Sequence, residues 1–494
     1  MAWGRVLLCG RVASDEEPNQ AVDAGYCLTT PHVLRSVSNV RMQRVFSSCV
    51  SDHAVFLSVQ GDVYVYGCNT YGQCGVSPAA GSTQGGPWLS DAVKLDRQRD
   101  FVPSLADGVS IEAAATGFGH TLLLTSQGAV YAAGANAQGQ CGLAPRPSVY
   151  PFHRVEGLSD PVVDISCGRA FSALVTAGGH VYTMGSAEHG VLGTGLLSWH
   201  HRGPGQIEYR IQAEPVRVPS LQHITRVSCG EDHMAALDHD GQVYVWGRNE
   251  LARLGCGTQR DQGRPVHLVQ LDRKAKQERA QAILAGRTAT MVLDREARLW
   301  LAGSWRTAGD GGPGQTFIIY KPLEELAEYD VHAMAAGADT IQCLATPTLD
   351  GQPIAGARPM VLAWGDGAQH AEFGLMHRTA TPDMLAPLQP LAPIAVAAGR
   401  HTSFWLVAPD QAYSELPRFP QTIESSSTCL VCGQVNEDDE ATLLECGRCE
   451  NPYHLSCLDP PLSTVPEGDW LCVSCRAADE DESGKSSARK RRRL

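Results

Sequence analysis

Short apolar runs alternate with polar, glycine-bearing turns along residues 1–407, and the alternation repeats as a two-part unit. One copy reads Val227-Ser-Cys-Gly-Glu-Asp-His-Met-Ala-Ala-Leu, then a polar turn, then Gly241-Gln-Val-Tyr-Val-Trp-Gly247. The pair recurs at 47–67, 115–134 and 166–185, and in weaker form at 284–303 and 335–365. Residues 397–407, AAGRHTSFWLV, supply a first half with no second half after it. At the other end of the chain, Met1-Ala-Trp-Gly4 reads as the missing piece. Runs of this length bounded by Gly, Asp or Gln predict strands joined by hairpins. A strand-built period of roughly 50–65 residues predicts a propeller or a solenoid. Splitting one unit between the termini favours a closed ring, because pairing the first strand with the last blade leaves no open sheet edge. Seven first halves and seven second halves therefore predict an all-β, seven-bladed β-propeller over 1–407, closed by its N- and C-terminal repeat halves.

His53, His120, His233 and His401 read as one repeated position. A catalytic group is needed once, whereas a packing or turn residue is needed in every blade, so the recurrence predicts a structural role and no catalytic residue is assigned. Segments 76–110, 196–226, 258–282 and 304–333 read as interblade insertions, where repeat proteins tend to carry function. Segment 258–282 holds Arg260, Arg264, Arg273, Lys274, Lys276 and Arg279. A solvated loop or short helix is the favoured reading, with a nucleic-acid or acidic-partner contact as the alternative.

Composition narrows the picture. Fifty glycines against 6% aromatics suit many tight turns between short strands. A net charge of −13 argues against a general polyanion binder, so basic character has to be local. It is concentrated in Arg489, Lys490, Arg491, Arg492 and Arg493. No apolar run approaches the roughly 20 residues a membrane span needs, and the opening residues lack a signal-peptide layout. The expectation is a soluble, intracellular chain. Of 17 cysteines, ten are scattered over the repeats. Cys49, Cys167 and Cys229 share one repeat position and read as small buried hydrophobes in a reducing compartment.

The other seven cysteines fall between 429 and 475, after a proline-bearing linker at 408–427. With one histidine they form four close pairs: Cys429 and Cys432, Cys446 and Cys449, His454 and Cys457, Cys472 and Cys475. Zinc takes four thiolate or imidazole ligands in tetrahedral array, so eight ligands imply two Zn2+. A segment of about 50 residues buries little core, and metal must supply much of its folding energy. Residues 428–477 thus read as a zinc finger and 478–494 as a disordered acidic-then-basic tail. The basic run resembles a nuclear localisation signal and is also able to make a weak DNA contact.

Two family resemblances follow. The repeated GxxH…VYxWG pattern, with Gly72-Gln73-Cys74-Gly75 and Gly139-Gln140-Cys141-Gly142, resembles the regulator of chromosome condensation repeat family over residues 1–407. The founding member is an exchange factor for a small nuclear GTPase and works through a wedge, and no insertion in this sequence matches that wedge. The finger resembles the PHD family: Cys fills the fourth ligand position and His the fifth, whereas a RING finger of ubiquitin ligases places His fourth. Trp470, two residues before the seventh ligand, also fits, and is expected in the finger's core.

The PHD resemblance implies an interleaved ligand set, with Cys429, Cys432, His454 and Cys457 on one zinc and Cys446, Cys449, Cys472 and Cys475 on the other. It implies docking of the N-terminal tail of histone H-three as an added strand along Leu443, Leu444 and Glu445, with Pro466, Glu467 and Gly468 at the turn that receives the terminal amine. Readers of trimethylated lysine need an aromatic cage, and its key position is Pro452 here. Glu437, Asp438, Asp439 and Glu440 offer carboxylates to an unmodified ammonium instead. Gly447 stands where many such readers carry Asp, so the lysine contact falls to this acidic loop. The expected function is a nuclear, non-enzymatic chromatin adaptor. Its finger reads an unmodified tail on the nucleosome, while its propeller scaffolds protein partners. The alternatives are exchange activity or a role in a ubiquitin ligase.

Overall fold

The computed structural model describes residues 3–12, 27–38, 40–78, 87–195, 199–203, 206–272, 279–304, 316–367, 370–374, 379–408, 416–420, 429–434, 443–446, 451–466, 470–473 and 476. Seven antiparallel sheets, each with four strands in radial sequence, form the blades of a β-propeller. Blade I is Met42–Phe46, His53–Ser58, Val63–Cys68 and Trp88–Lys94. Blades II, III and IV begin at Ile111–Thr116, Val162–Cys167 and Ile224–Cys229; blades V and VI begin at Ala280–Ala285 and Tyr329–Ala336. Blade VII takes its two inner strands from one end of the chain, Pro393–Ala398 and Thr402–Val407, and its two outer strands from the other, Arg5–Arg11 and Cys27–Leu34. The first strands of neighbouring blades touch one another and line the axis.

The predicted closure stands, but with a shifted register. Arg5–Arg11, not Met1–Gly4, is the missing half. Gly10 lies opposite Thr402 with φ +103°, as Gly67 lies opposite His53 with φ +99° and Gly247 opposite His233 with φ +101°. A Cβ on Gly10 would stand 2.4 Å from the His401 carbonyl oxygen, so both the left-handed φ and the close approach require glycine. Trp3-Gly4 imitates Trp246-Gly247 in sequence, whereas Gly4 bridges Met42 of blade I. The same register removes His401 from the repeated histidine position, which Thr402 occupies.

Near-continuous apolar runs explain why the second strand forms in six of the blades. His53–Ser58, His120–Thr125, Phe171–Thr176, His233–Asp238, Ala289–Asp294 and Thr402–Val407 are each buried at all six positions. The core fills the spaces between blades: Val55 and Val65 of blade I pack with Leu123 and Phe152 of blade II. The fourth strands, Trp88–Lys94, Ile211–Arg217, Gln262–His267 and Thr316–Pro322, lie inside the segments expected to be insertions. They form the outer part of each blade and hold at most one fully buried position apiece, so no apolar run marks them. Segment 196–226 also contains a separate hairpin, Trp199–Gly203 paired with Gln206–Tyr209, between the third and fourth strands of blade III. Within the expected linker, Arg418–Phe419 adds a short parallel strand beside Val33 and Leu34. Among the described residues no helix is long and apolar enough to cross a membrane.

Candidate metal centre and the propeller joints

The three histidines that do share a position are fully buried and link neighbouring blades. His53 Nε2 lies 2.6 Å from Thr121 Oγ1, His120 Nε2 lies 2.9 Å from Ser172 Oγ, and His233 Nε2 lies 2.8 Å from Thr290 Oγ1. The Ser172 and Thr290 hydroxyls donate to the carbonyls of Gln140 and Arg253, so the imidazole Nε2–H must be the donor toward each hydroxyl. Desolvation pushes His53 down to about 3, His120 to about 4 and His233 well below the ordinary value, keeping all three neutral. Gly230 exists for this ring: a Cβ there would stand 2.5 Å from His233 Cε1. The structural role expected of the repeated histidine is therefore realised as interblade hydrogen bonds. Between blades VI and VII, Gln342 does the same work, donating to Ser403 Oγ at 2.5 Å and accepting from Trp405 Nε1 at 2.9 Å.

Cys49, Cys167 and Cys229 are buried thiols raised by desolvation, Cys49 and Cys167 to about 12. Such groups pack as small hydrophobes. Sequence reasoning missed Asn69, Asn136 and Asn249, whose side-chain oxygens accept the backbone N–H of Cys74, Cys141 and Leu254 and pin the turns that follow each third strand. Their equal spacing from the repeated glycine, two residues on, was the available signal. Arg169, which binds Asp232 at 2.8 Å and Glu188 at 3.0 Å, and Arg287, which binds Asp339 at 2.8 Å, were also missed. Of the basic residues in 258–282, Arg279 donates to the Asp240 carbonyl at 2.8 Å; Arg273, Lys274 and Lys276 lie outside the described residues.

In the finger, Leu443–Glu445 pairs antiparallel with Pro452–His454, placing Leu443 opposite His454 and Glu445 opposite Pro452. The hairpin carries His454 toward the turn that holds Cys429 and Cys432. The ligand atoms of Cys429, Cys432, His454 and Cys457 all lie within 4.8 Å of one another. His454 Nδ1 is 3.3 Å from Cys432 Sγ and 3.7 Å from Cys457 Sγ. Three thiols and one imidazole at this spacing suit tetrahedral zinc, which would neutralise the thiolates and tie the two chain segments together. Desolvation raises the Cys429 thiol, but the backbone N–H groups of His454, Cys432 and Val431 outweigh it and bring it to about 6, favouring the ligating thiolate.

Cys446 and Cys472 of the second set are also together: the Cys472 N–H donates to Cys446 Sγ at 3.2 Å. Cys449 and Cys475 lie outside the described residues, as do Glu437, Asp438, Asp439, Glu440, Gly447, Glu467, Gly468 and the basic run Arg489, Lys490, Arg491, Arg492 and Arg493. Leu444, Tyr453, Leu458 and Cys472 form the finger's small core, with Trp470 packed against it as expected. Pro466 is half-buried.

A ring of seven glycine-hinged blades followed by a cross-braced Cys/His finger defines a class of β-propeller protein with a zinc-finger appendage. Within that class, the RCC1-like domain family matches residues 2–404, and this chain belongs to it; residues 429–475 match the PHD-finger family. Protein RCC2 of Mus musculus is 26% identical over 397 residues, covering 75% of this chain and 69% of its own length. Among solved structures, human WBSCR16 superposes with a TM-score of 0.62 at 19% identity, covering 83% of this chain and 99% of its own. Prp20p of Saccharomyces cerevisiae, described with its binding to Gsp1p and histones, gives 0.64 at 17% identity, covering 84% and 94%. These two likenesses concern the fold.

Proposed function

We propose that this chain is a nuclear, chromatin-associated adaptor that acts by binding rather than by turnover. Its finger, holding two Zn2+ through Cys429, Cys432, His454, Cys457 and Cys446, Cys449, Cys472, Cys475, takes the N-terminal tail of histone H-three with lysine four unmodified. The propeller holds protein partners. The observation that carries this reading is the use made of the finger's two aromatic residues, Tyr453 and Trp470. Tyr453 is 7% exposed, and its ring packs edge-on against Trp470 with centroids 5.5 Å apart. A quaternary ammonium needs open aromatic faces around it. Here both rings serve the core, and Pro452 is buried in the strand. An unmodified ammonium keeps three N–H donors and suits carboxylates such as those of Glu437, Asp438, Asp439 and Glu440.

One edge of Leu443–Glu445 pairs with Pro452–His454, and the other has no strand partner among the described residues. That edge supports docking of the tail by strand addition. The basic run at 489–493 supports a nuclear site of action. In calorimetry, the full chain is expected to bind an unmodified H-three tail peptide about tenfold more tightly than the peptide trimethylated at lysine four. Tighter binding of the trimethylated peptide would overturn the reading, and a content other than two zinc ions per chain would overturn the ligand assignment.

A second reading, guanine-nucleotide exchange on a small nuclear GTPase, is favoured by the hairpin Trp199–Gly203 and Gln206–Tyr209, which stands apart from the blade sheets. Accelerated nucleotide release by the intact chain, lost on deleting residues 199–209, would replace the adaptor reading of the propeller.

A further inference from the structure

At the end of the barrel away from the repeated histidines, a cleft of about 500 Å³ opens between blades V and VI. Three connections form it: the turn at 294–298, the chain at 322–330 that joins the two blades, and the turn at 348–351. Its floor is apolar, with Leu299, Leu323 and Leu326 buried and Trp300 and Tyr329 half-buried. Its surround is acidic: residues 294–300, 322–330 and 347–351 carry seven carboxylates and two arginines. One of those arginines shows how the cleft treats a guanidinium. Arg298 lies 5.9 Å over the Trp300 ring and 2.9 Å from both Asp294 Oδ2 and Glu296 Oε2.

We propose that this cleft is the docking site for the chain's own basic C-terminal segment, residues 484–494. That segment, Gly-Lys-Ser-Ser-Ala-Arg-Lys-Arg-Arg-Arg-Leu, combines six cationic side chains with a terminal leucine. Arginines match the site on three counts: they pair with carboxylates such as Glu324 and Asp330, stack on aromatic faces such as Tyr329, and lie along apolar floors with their methylene stems. Chain direction supports the same occupant. Arg418–Phe419 runs parallel to the end of Cys27–Leu34, so the polypeptide leaves blade VII at the end of the barrel where the cleft opens, one blade further round. Twelve residues separate Arg476 from Arg489, and the thirteen steps between them give an extended reach of about 45 Å beyond the finger. Docked there, the basic run is withheld from an import receptor or from DNA.

Fluorescence anisotropy of a labelled peptide of residues 484–494 tests this. It is measured at low ionic strength against the full chain, a chain ending at Ser483, and that shorter chain carrying Glu324→Lys and Asp330→Lys. The shorter chain is expected to bind the peptide about tenfold more tightly than the charge-reversed variant, and more tightly than the full chain, whose own segment competes. Equal binding by the reversed variant would place the contact elsewhere and overturn the proposal. Equal binding by the full chain would show that the cleft accepts basic peptides only from other molecules, which also overturns it. Circular dichroism of the reversed variant guards against misfolding, and Glu324→Gln with Asp330→Asn should give a smaller loss in the same direction.

Discussion

Strand Thr402–Val407 of the propeller is buried at every position and paired on both edges, with Pro393–Ala398 on one side and Arg5–Arg11 on the other. Strand Leu443–Glu445 of the finger is three residues long, with a single partner strand among the described residues. The first is held by a core drawn from distant parts of the chain. The second is held by ligand atoms gathered within a few ångströms. Among the finger's described residues, burial is confined to a handful of side chains, including three of the cysteines. A unit of this size cannot offset its conformational entropy with apolar area, whereas neighbouring blades bury continuous apolar surface. The two regions should therefore fail under different insults.

The largest effect sharpens that contrast. Cys446→Ala, or zinc chelation of the wild-type chain, is expected to remove on the order of 10 kcal/mol of metal-linked folding energy from the finger and none from the propeller. Limited proteolysis should then cut within 429–475 while the propeller core and its melting temperature persist; a parallel fall in propeller stability would break the comparison. Next in size, Gly10→Val forces a β-branched residue into φ +103° against the His401 carbonyl and should cost the propeller about 3 kcal/mol or more. Chemical denaturation would read this as a lower midpoint, with zinc content unchanged. Gly61→Val serves as its control, being left-handed but in open space.

A further effect concerns protons. His53 and His120 have folded-state values near 3 and 4, below the ordinary 6.5, so between pH 6.5 and about 4 the unfolded chain binds protons that the native chain does not. The histidine contribution to propeller stability should therefore be fully present above pH 6.5 and decline as the pH falls through this window, partly offset by Glu372, which burial raises to about 7. Denaturation of the zinc-stripped chain measures it without ligand protonation in the finger, and a midpoint independent of pH would contradict the buried neutral imidazoles.

Repetition made the ring legible in the sequence, because glycine and apolar spacing recur wherever backbone geometry recurs. What repetition could not supply was the register at the seam. Trp3-Gly4 carries the right letters, but Gly10 has the left-handed backbone, and a slip of one residue likewise made His401 stand in for Thr402. The fourth strands were unreadable because edge exposure and a register shift against the third strand leave at most one buried position in each. In the finger, ligand spacing is local chemistry, so the cluster of Cys429, Cys432, His454 and Cys457 was readable pair by pair. The hairpin at 199–209 and the asparagine pins at 69, 136 and 249 depend on folded backbone positions, which apolar patterning does not report.

The seam in blade VII also sets a timetable for synthesis. Arg5–Arg11 leaves the ribosome nearly 400 residues ahead of its partner Thr402–Val407. At translation rates of about 5–20 residues per second, the apolar run Val-Leu-Leu-Cys waits roughly 20–80 s for its neighbour. During that interval six blades can form while Arg5–Arg11 has only its outer neighbour Cys27–Leu34 to pair with, its inner edge left open. A chaperone that shields the inner edge of Arg5–Arg11 would have its greatest influence on yield before the last blade emerges, and none once Gly10 has met Thr402.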